Sequence, residues 1–503
     1  MGKYFTNTYD GQFRLTDTTD PLGYLSHTDF DAEHHPIKAT VYPAAGQSIS
    51  IQKRYAANGL VSSIIDGMGV STALTQDSQG NPASSRTASA PAITYVYDLI
   101  GRMASLTDQA GSKTAFVYDK RNLLTRKTDP LGKSTSLTYY DDGTPHTVTD
   151  RRNSTTTYTY TPSGKTSTLT YQGGATEVYT YDQNDNLTRM HDSQGTTTYS
   201  YDTANRLTSS TDPRGFTVSY LRDANGNITR ITYPGNKTVS YTHDALNRIK
   251  TVTIDWLART ATYNYDDAGR VSDLTQFNGT YTQYTYDEAN RLILLSNRKS
   301  KTGAEIATYA YTLDANGNRT GIDQTVPLGV SATPSATAYT MNSKGNRLLQ
   351  AGTTAFTYTL EGQLAAKTGE TYVFDAAHRL AAITNTVTSA YTYYTYDGRG
   401  NRLQANKNGV LTRYLYDING NMLAQTNSSN VIQRYYIYGN GLLAMVDTGT
   451  GYYCYHFDGT GHTVGLTGPG LNVINNTPIP PSVRLPARWK PSPSRLNTRA
   501  SSG

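Results

Sequence analysis

A tyrosine–aspartate pair returns along this chain at Tyr9, Tyr97, Tyr118, Tyr140, Tyr181, Tyr201, Tyr265, Tyr286, Tyr396 and Tyr416, many neighbours standing 20 to 22 residues apart. A fixed period of this length marks a repeat architecture, in which one small unit is stabilised by its neighbours. The stretch "YSYDTANRLTSSTDPRGFTVSY", Tyr199 to Tyr220, displays the unit. Tyr199 and Tyr201 alternate with small polar residues, the period-2 pattern of a strand. Asp202 opens a turn, because its carboxylate accepts from backbone N–H groups two or more residues on, and Asn205 tolerates positive φ. Leu207 starts the return strand. Pro213 and Gly215 then build a second turn before Phe216 begins the next strand. Each unit is thus a β-hairpin of about 21 residues.

The wider gaps hold degenerate copies: Tyr160, Arg222-Asp223, His243-Asp244, then "YTLDANGNRT", "YTLEGQL" and "YVFDAAHRL". Roughly 17 hairpins result, and because an isolated hairpin is marginal in water, they must pair in series. Edges have to be limited by coiling or closure. The expected class is all-β, a long antiparallel hairpin array; solenoid, propeller series and spiralling sheet all satisfy these constraints.

Composition agrees. Hydrophobic residues make up 36% of the chain, and 42 of the 503 residues are Tyr against 9 Phe. A typical globular chain is roughly 45–50% apolar. Half-wet sheet faces rather than one dry core follow, and the regular spacing argues against disorder. One cysteine, Cys454, excludes an intrachain disulfide and a four-cysteine zinc site. The opening "MGKYFTNTYD" shows no signal-peptide h-region, and no apolar run is long enough to span a membrane. Of the net charge of +6, five positive charges lie after Asn476, on Arg484, Arg488, Lys490, Arg495 and Arg499, with no acid among them. The repeat body is near neutral, so nucleic-acid binding is not expected of it.

The pattern YxYDxxNRL…TDPxG, repeated over roughly residues 90 to 476, resembles the YD repeat of Rhs proteins, bacterial polymorphic-toxin carriers with relatives in teneurins and insecticidal toxin C components. "YYIYGNGLLAMVD" and "YYCYHFDGTGHTVGLTGPGLNVINN" look like the entrance to the family's Rhs-associated core. The resemblance implies a spiral shell of hairpins, here incomplete, that encloses a C-terminal toxin domain until delivery through a secretion apparatus. It also implies contact-dependent bacterial competition and an extracellular or cell-surface location for the intact family. By pattern the chain divides into a less regular repeat region over 1–90, a regular array over 91–450, the start of the core over 451–476, and a Pro-rich basic tail over 477–503. Within the first region, "DSQGNPASSRTASAPA" (Asp77 to Ala92) reads as a flexible loop or an insertion.

The tail breaks the rhythm. Six of the 19 prolines and no tyrosine fall in Thr477 to Gly503. An allowed coding for Asn476 through Pro486, read one base earlier, gives Tyr-Ala-Tyr-Thr-Pro-Phe-Gly-Glu-Ile-Thr, which resembles the family's continuation. A frameshifted or truncated, disordered tail is the expectation. The family's self-cleaving aspartates belong to a segment this sequence lacks, so no catalytic residue is carried over, and no cofactor is expected.

The remaining chemistry is sparse. Asp31, Glu33, His34 and His35 suggest a metal site, but adjacent histidines on a strand point to opposite faces, and a solvated turn is the expectation. Asp98, Asp119, Asp182, Asp202, Asp266, Asp287, Asp397 and Asp417 recur at one place in the unit, which fits turn capping rather than paired-carboxylate catalysis. Tyrosine rows could stack on sugars, yet cross-strand ladders account for them. "FDGTGHTVG" lacks the context of a phosphate loop. Cys454 has no partnered base and reads as a strand residue. The expected function is a non-catalytic shell fragment of a toxin carrier; the alternative is a carbohydrate-binding surface that recognises cell-surface glycans.

Overall fold

The computed structural model describes residues 4–44, 46–327, 336–344 and 347–474; the 477–503 tail lies outside them. They form 44 strands, each antiparallel to the next within its sheet. A 30-stranded sheet runs from Thr6 to Thr325 and a 14-stranded sheet from Tyr339 to Thr467. The one helical element among the described residues is a single 3-10 turn, Asp255–Leu257. An all-β hairpin array is therefore what the sequence folds into.

Strand pairing follows from the unit. In one hairpin, Thr198, Tyr199 and Ser200 face Thr211, Ser210 and Ser209, and the register slips by one residue so that Tyr201 faces Leu207. The slip is a bulge set by the turn: Asn205 sits at φ 59°, a place that Gly101 takes at φ 83° in another copy. A turn followed by a left-handed residue gives this bulge, and bulges add twist. Repeated in nearly every unit, it curves the ribbon.

Regularity begins at Thr6 rather than near residue 90. The expected loop Asp77 to Ala92 is a hairpin: Asp77 caps a turn, and Pro82–Thr87 is a strand, with its proline at the first position, where no ladder donor is needed. The tyrosine rows also differ from the expectation. In this hairpin Tyr201 pairs across the ladder with Leu207 and Tyr199 with Ser210, so ring does not face ring there, although Tyr140 meets Tyr160 edge-on at 6.2 Å.

The ribbon has two rims. Turns such as Asp202–Arg206, opened by the tyrosine–aspartate pair, form one, called here the YD rim; linking turns such as Asp212–Phe216 form the other, the linker rim. The chain winds so that a later circuit meets an earlier one. The Glu288 amide, on the YD rim, donates to the Pro43 carbonyl at 3.1 Å. Asn316 donates to Asp66 on the linker rim, 250 residues earlier. The second sheet repeats the arrangement with Arg151 and Glu361 210 residues apart, and at its end Tyr311 and Gly459 are 148 apart. The spiral tightens toward the C-terminal strands.

Burial follows the winding. Among the described residues no apolar side chain before Met190 is buried except Pro43, which lies at the seam. The main core joins both sheets: Val252, Ile254 and Ala261 of the first pack with Ile437, Ala444 and Cys454 of the second. The last strands are buried on their other face too, where Tyr436, Met445 and Tyr455 form a second cluster. "YYIYGNGLLAMVD" is apolar at consecutive positions because both of its faces are covered.

Candidate functional site

The recurring turn is the chemical unit of this chain. Asp202 Oδ1 accepts from the amides of Ala204 and Arg206, both at 2.9 Å, and Oδ2 accepts from Arg206 Nε at 2.7 Å. Arg206 then reaches across to the carbonyl of Asp223 in the next unit. Elsewhere the guanidinium also covers the next tyrosine: Arg102 binds Asp98, donates to the Asp119 carbonyl at 2.8 Å, and lies 4.9 Å from the Tyr118 ring centre. That tyrosine hydroxyl donates backward to the Met103 carbonyl at 3.1 Å. Arg270 and Tyr286, and Arg379 and Tyr396, repeat the clasp. One carboxylate thus satisfies its own turn while its arginine and the following tyrosine tie that turn to its neighbour.

Each of the eight aspartates picked out by sequence opens such a turn, and no two share a site. Asp98, Asp119, Asp266, Asp287, Asp397 and Asp417 accept the same backbone amide four residues on. Asp182 does so with Asn186 in place of the arginine. One unit is out of the register the sequence suggested. Tyr139, not Tyr140, donates to the upstream carbonyl, of Leu124, and Tyr140 occupies the aspartate's place. In the His-rich stretch, Asp31 caps Glu33 and His35, and His35 stands where the arginine stands elsewhere, bound to Asp31 at 3.1 Å and stacked on Tyr55. Asp31, Glu33 and His35 do come together, as a degenerate copy of the turn.

The seam between circuits sets the electrostatics. Backbone and side-chain donors hold Asp98, Asp119 and Asp202 below the usual carboxylate range, the amide four residues on being the largest cause. Asp182 is lowered chiefly by the Asn186 side chain. Asp397 and Asp417, with the same backbone donors and an asparagine in the arginine's place, are pushed up, because burial against the preceding circuit outweighs these donors. Both are 8% exposed. Beside Asp397, the Gly398 amide donates to Asp192 Oδ2 at 2.7 Å, and the Tyr179 hydroxyl lies 2.9 Å from both the Gly398 carbonyl and Glu177 Oε2. Burial raises Glu177 as well. Arg151 bridges the seam to Glu361 at 3.2 Å and is held by Asp129 at 2.9 Å. Sequence reasoning missed these residues: nothing local marks Arg151 as the partner of a glutamate 210 positions away.

The recurring geometry satisfies a turn and clasps it to its neighbour. Cys454, fully buried in the main core, has its thiol pushed up to about 12 by burial, the reverse of an activated cysteine. A contrast in cost follows. Asp287→Ala, at a turn whose carboxylate is 10% exposed beside the seam, is expected to cost about 2 kcal/mol. Asp202→Ala, on a turn whose carboxylate is 25% exposed, should shift the midpoint less. Urea unfolding of the two variants measures the difference; equal losses would remove the seam from the account.

The family model described as RHS Repeat matches residues 181–217 and 222–260. The tRNA nuclease WapA of Bacillus subtilis (strain 168) is 28% identical across 30% of this chain and 8% of its own length. Among solved structures, the Photorhabdus luminescens Tc holotoxin pore superimposes with a TM-score of 0.54 at 15% identity, over 93% of this chain and 29% of that one. TcdB2-TccC3 without its hypervariable C-terminal region gives 0.53 at 14% identity, over 93% and 30%. At such identity the likeness is one of fold. The chain spans less than a third of these structures and less than a tenth of the nuclease.

Proposed function

Because the chain is an Rhs/YD-repeat protein, we propose that it works as a section of wall in a hollow β-shell that encloses a toxin domain, without catalytic activity of its own. The winding carries this reading. A ribbon that meets its own earlier circuit 250 residues later, while its first strands bury no apolar side chain but Pro43 among the described residues, is built to surround a volume rather than to fill one. The clasped turns give such a wall rigidity where it has no thick core. Delivery through a secretion apparatus, a place in competition between bacteria, and an extracellular or surface location belong to the same proposal.

Solution scattering tests the wall. A filled globule of this length has a radius of gyration of about 23 Å; the expected value is larger, with the pair distances weighted toward long separations. A filled-globule curve would overturn the reading. The absence of catalysis has its own test: expression in the cytoplasm of a host with no immunity protein should leave growth unchanged, and growth arrest would mean an enzyme. Carbohydrate recognition is the competing reading, favoured by tyrosines left open to solvent, such as Tyr393 at 50% and Tyr339 at 67%. Saturable binding on a glycan array would support it.

A further inference from the structure

Both rims of the ribbon are consumed in the seam over part of their length and left open over the rest. The YD rim meets an earlier circuit from Glu288 onward; the turns before it, from Asp10 to Asp244, meet no other circuit in the contacts among the described residues, and at Asp266 the Tyr265 hydroxyl is met by Asn440 at 3.0 Å. The linker rim is met from Pro43 to Asn297, while its turns in the second sheet up to Asp447 meet none. Exposure follows the division only in part: the turn carboxylates of Asp10, Asp98, Asp119, Asp202 and Asp244 are 22 to 29% exposed, against 10% for Asp287, although Asp375 on the covered stretch is 26% exposed.

The open stretches carry apolar side chains at their tips. On the YD rim Phe13 is 89% exposed, Leu99 95%, Ile100 67% and Leu246 70%. Leu99 is the residue after its turn aspartate. In the turn opened by Asp417 that place belongs to Ile418, which packs against the main core across the seam. The same turn position is therefore apolar and covered in one circuit, apolar and bare in another. On the open linker rim Val387 is 81% exposed, Val410 70% and Val431 55%. Solvent-facing turns ordinarily take polar residues at such tips.

From the continuity of these open rims with the seam inside the chain, we propose that the bare YD rim from the Asp10 turn to the Asp244 turn is a docking surface for a second copy of this chain, seated by its own open linker rim. The contact extends what the ribbon already makes with itself, where the linker rim at Asp66 receives the YD turn of Asn316. Leu99, Ile100 and Leu246 of one copy take the place of Ile418, and the valine-tipped linker turns of the other copy take the place of the earlier circuit. The two surfaces are different, so the association is head to tail and leaves one rim of each type open at the ends of the stack. This inference rests on the winding and not on the toxin-carrier reading; it stands if that reading fails.

Sedimentation velocity on the full chain over a concentration series tests it. The wild type is expected to form species that lengthen with concentration. Leu99→Lys with Ile100→Lys blocks the YD rim, and Val387→Lys with Val410→Lys blocks the linker rim; each pair is expected to weaken self-association about tenfold or more. All four positions are solvent-exposed, and unchanged circular-dichroism melting shows that the fold is retained. The decisive arm is the mixture: one blocked variant plus the other has a single pair of intact rims and should give a one-to-one dimer that grows no further. A wild type that stays monomeric at every concentration overturns the proposal, since the rim would then await a different ribbon. Association that persists unchanged in both variants overturns it as well.

Discussion

Replacing Tyr233 with alanine is expected to cost about 3–5 kcal/mol, the price of deleting a large buried aromatic whose site cannot collapse. The ring is 1% exposed, meets Tyr435 edge-on at 6.1 Å, and its hydroxyl donates to the Tyr436 carbonyl at 3.1 Å. It is thus a rivet between the two sheets, placed where the second circuit lies against the first. Tyr233→Phe keeps the packing but strands a buried carbonyl, so about 1–2 kcal/mol is expected. Chemical unfolding followed by tyrosine fluorescence measures both. The same alanine change at Tyr9, which is 55% exposed, should be nearly silent. If Tyr9 and Tyr233 cost alike, the sheets are not held together at this seam.

The second large effect is one of pH. His456 is 1% exposed, its Nε2 lies 2.8 Å from Thr467 Oγ1, and its Nδ1 meets no partner among the described residues. Burial lowers the imidazole from 6.5 to about 4, since nothing nearby supports a charge. The folded chain therefore refuses a proton that the unfolded chain accepts once the pH drops below 6.5. Stability falls from there down to about pH 4 and then levels, by about 3 kcal/mol in all. Asp397, Asp417 and Glu177 work in the opposite sense. Their folded values are raised, so their contribution is full below the ordinary carboxylate range and is lost as pH rises through the folded values. The comparison that isolates the histidine is with His456→Gln, which keeps a partner for Thr467 and cannot be charged. The unfolding midpoints of the two proteins should diverge steadily between pH 6.5 and 4; parallel curves would mean that His456 takes up its proton in the folded state.

What was legible in the sequence is what is local. The capping carboxylate, the arginine four residues on, the left-handed residue between them and the return strand all lie within one turn, and Asp202, Asn205, Arg206 and Leu207 could be read directly. The slip at Tyr139 and Tyr140 shows the limit even there: two adjacent tyrosines leave the register open by one residue, and the hydroxyl contact to Leu124 decides it. The seam was not legible. Asp202 and Asp397 head turns of the same kind, yet one carboxyl is lowered and the other raised, because the difference lies in a circuit some two hundred residues away. The histidines at 34 and 35 read as part of a solvated turn, but the role of His35 was not legible for a related reason: only the pairing with Asp31 and Tyr55 reveals that it replaces an arginine.

The strand order has a mechanical consequence. Within each sheet every strand pairs with its neighbours in sequence, so a pull on either terminus loads one ladder at a time, and its hydrogen bonds open in succession like a zipper rather than together in shear. Where a turn carries the arginine clasp, it adds a modest resistance at that step. Only when peeling reaches a residue such as Tyr233, Arg151 or Asp192 must a contact between circuits yield at the same moment. Such a wall is soft to threading from its ends and stiff to pressure on its face, and the force needed to undo it rises in discrete steps at the places where one circuit grips another.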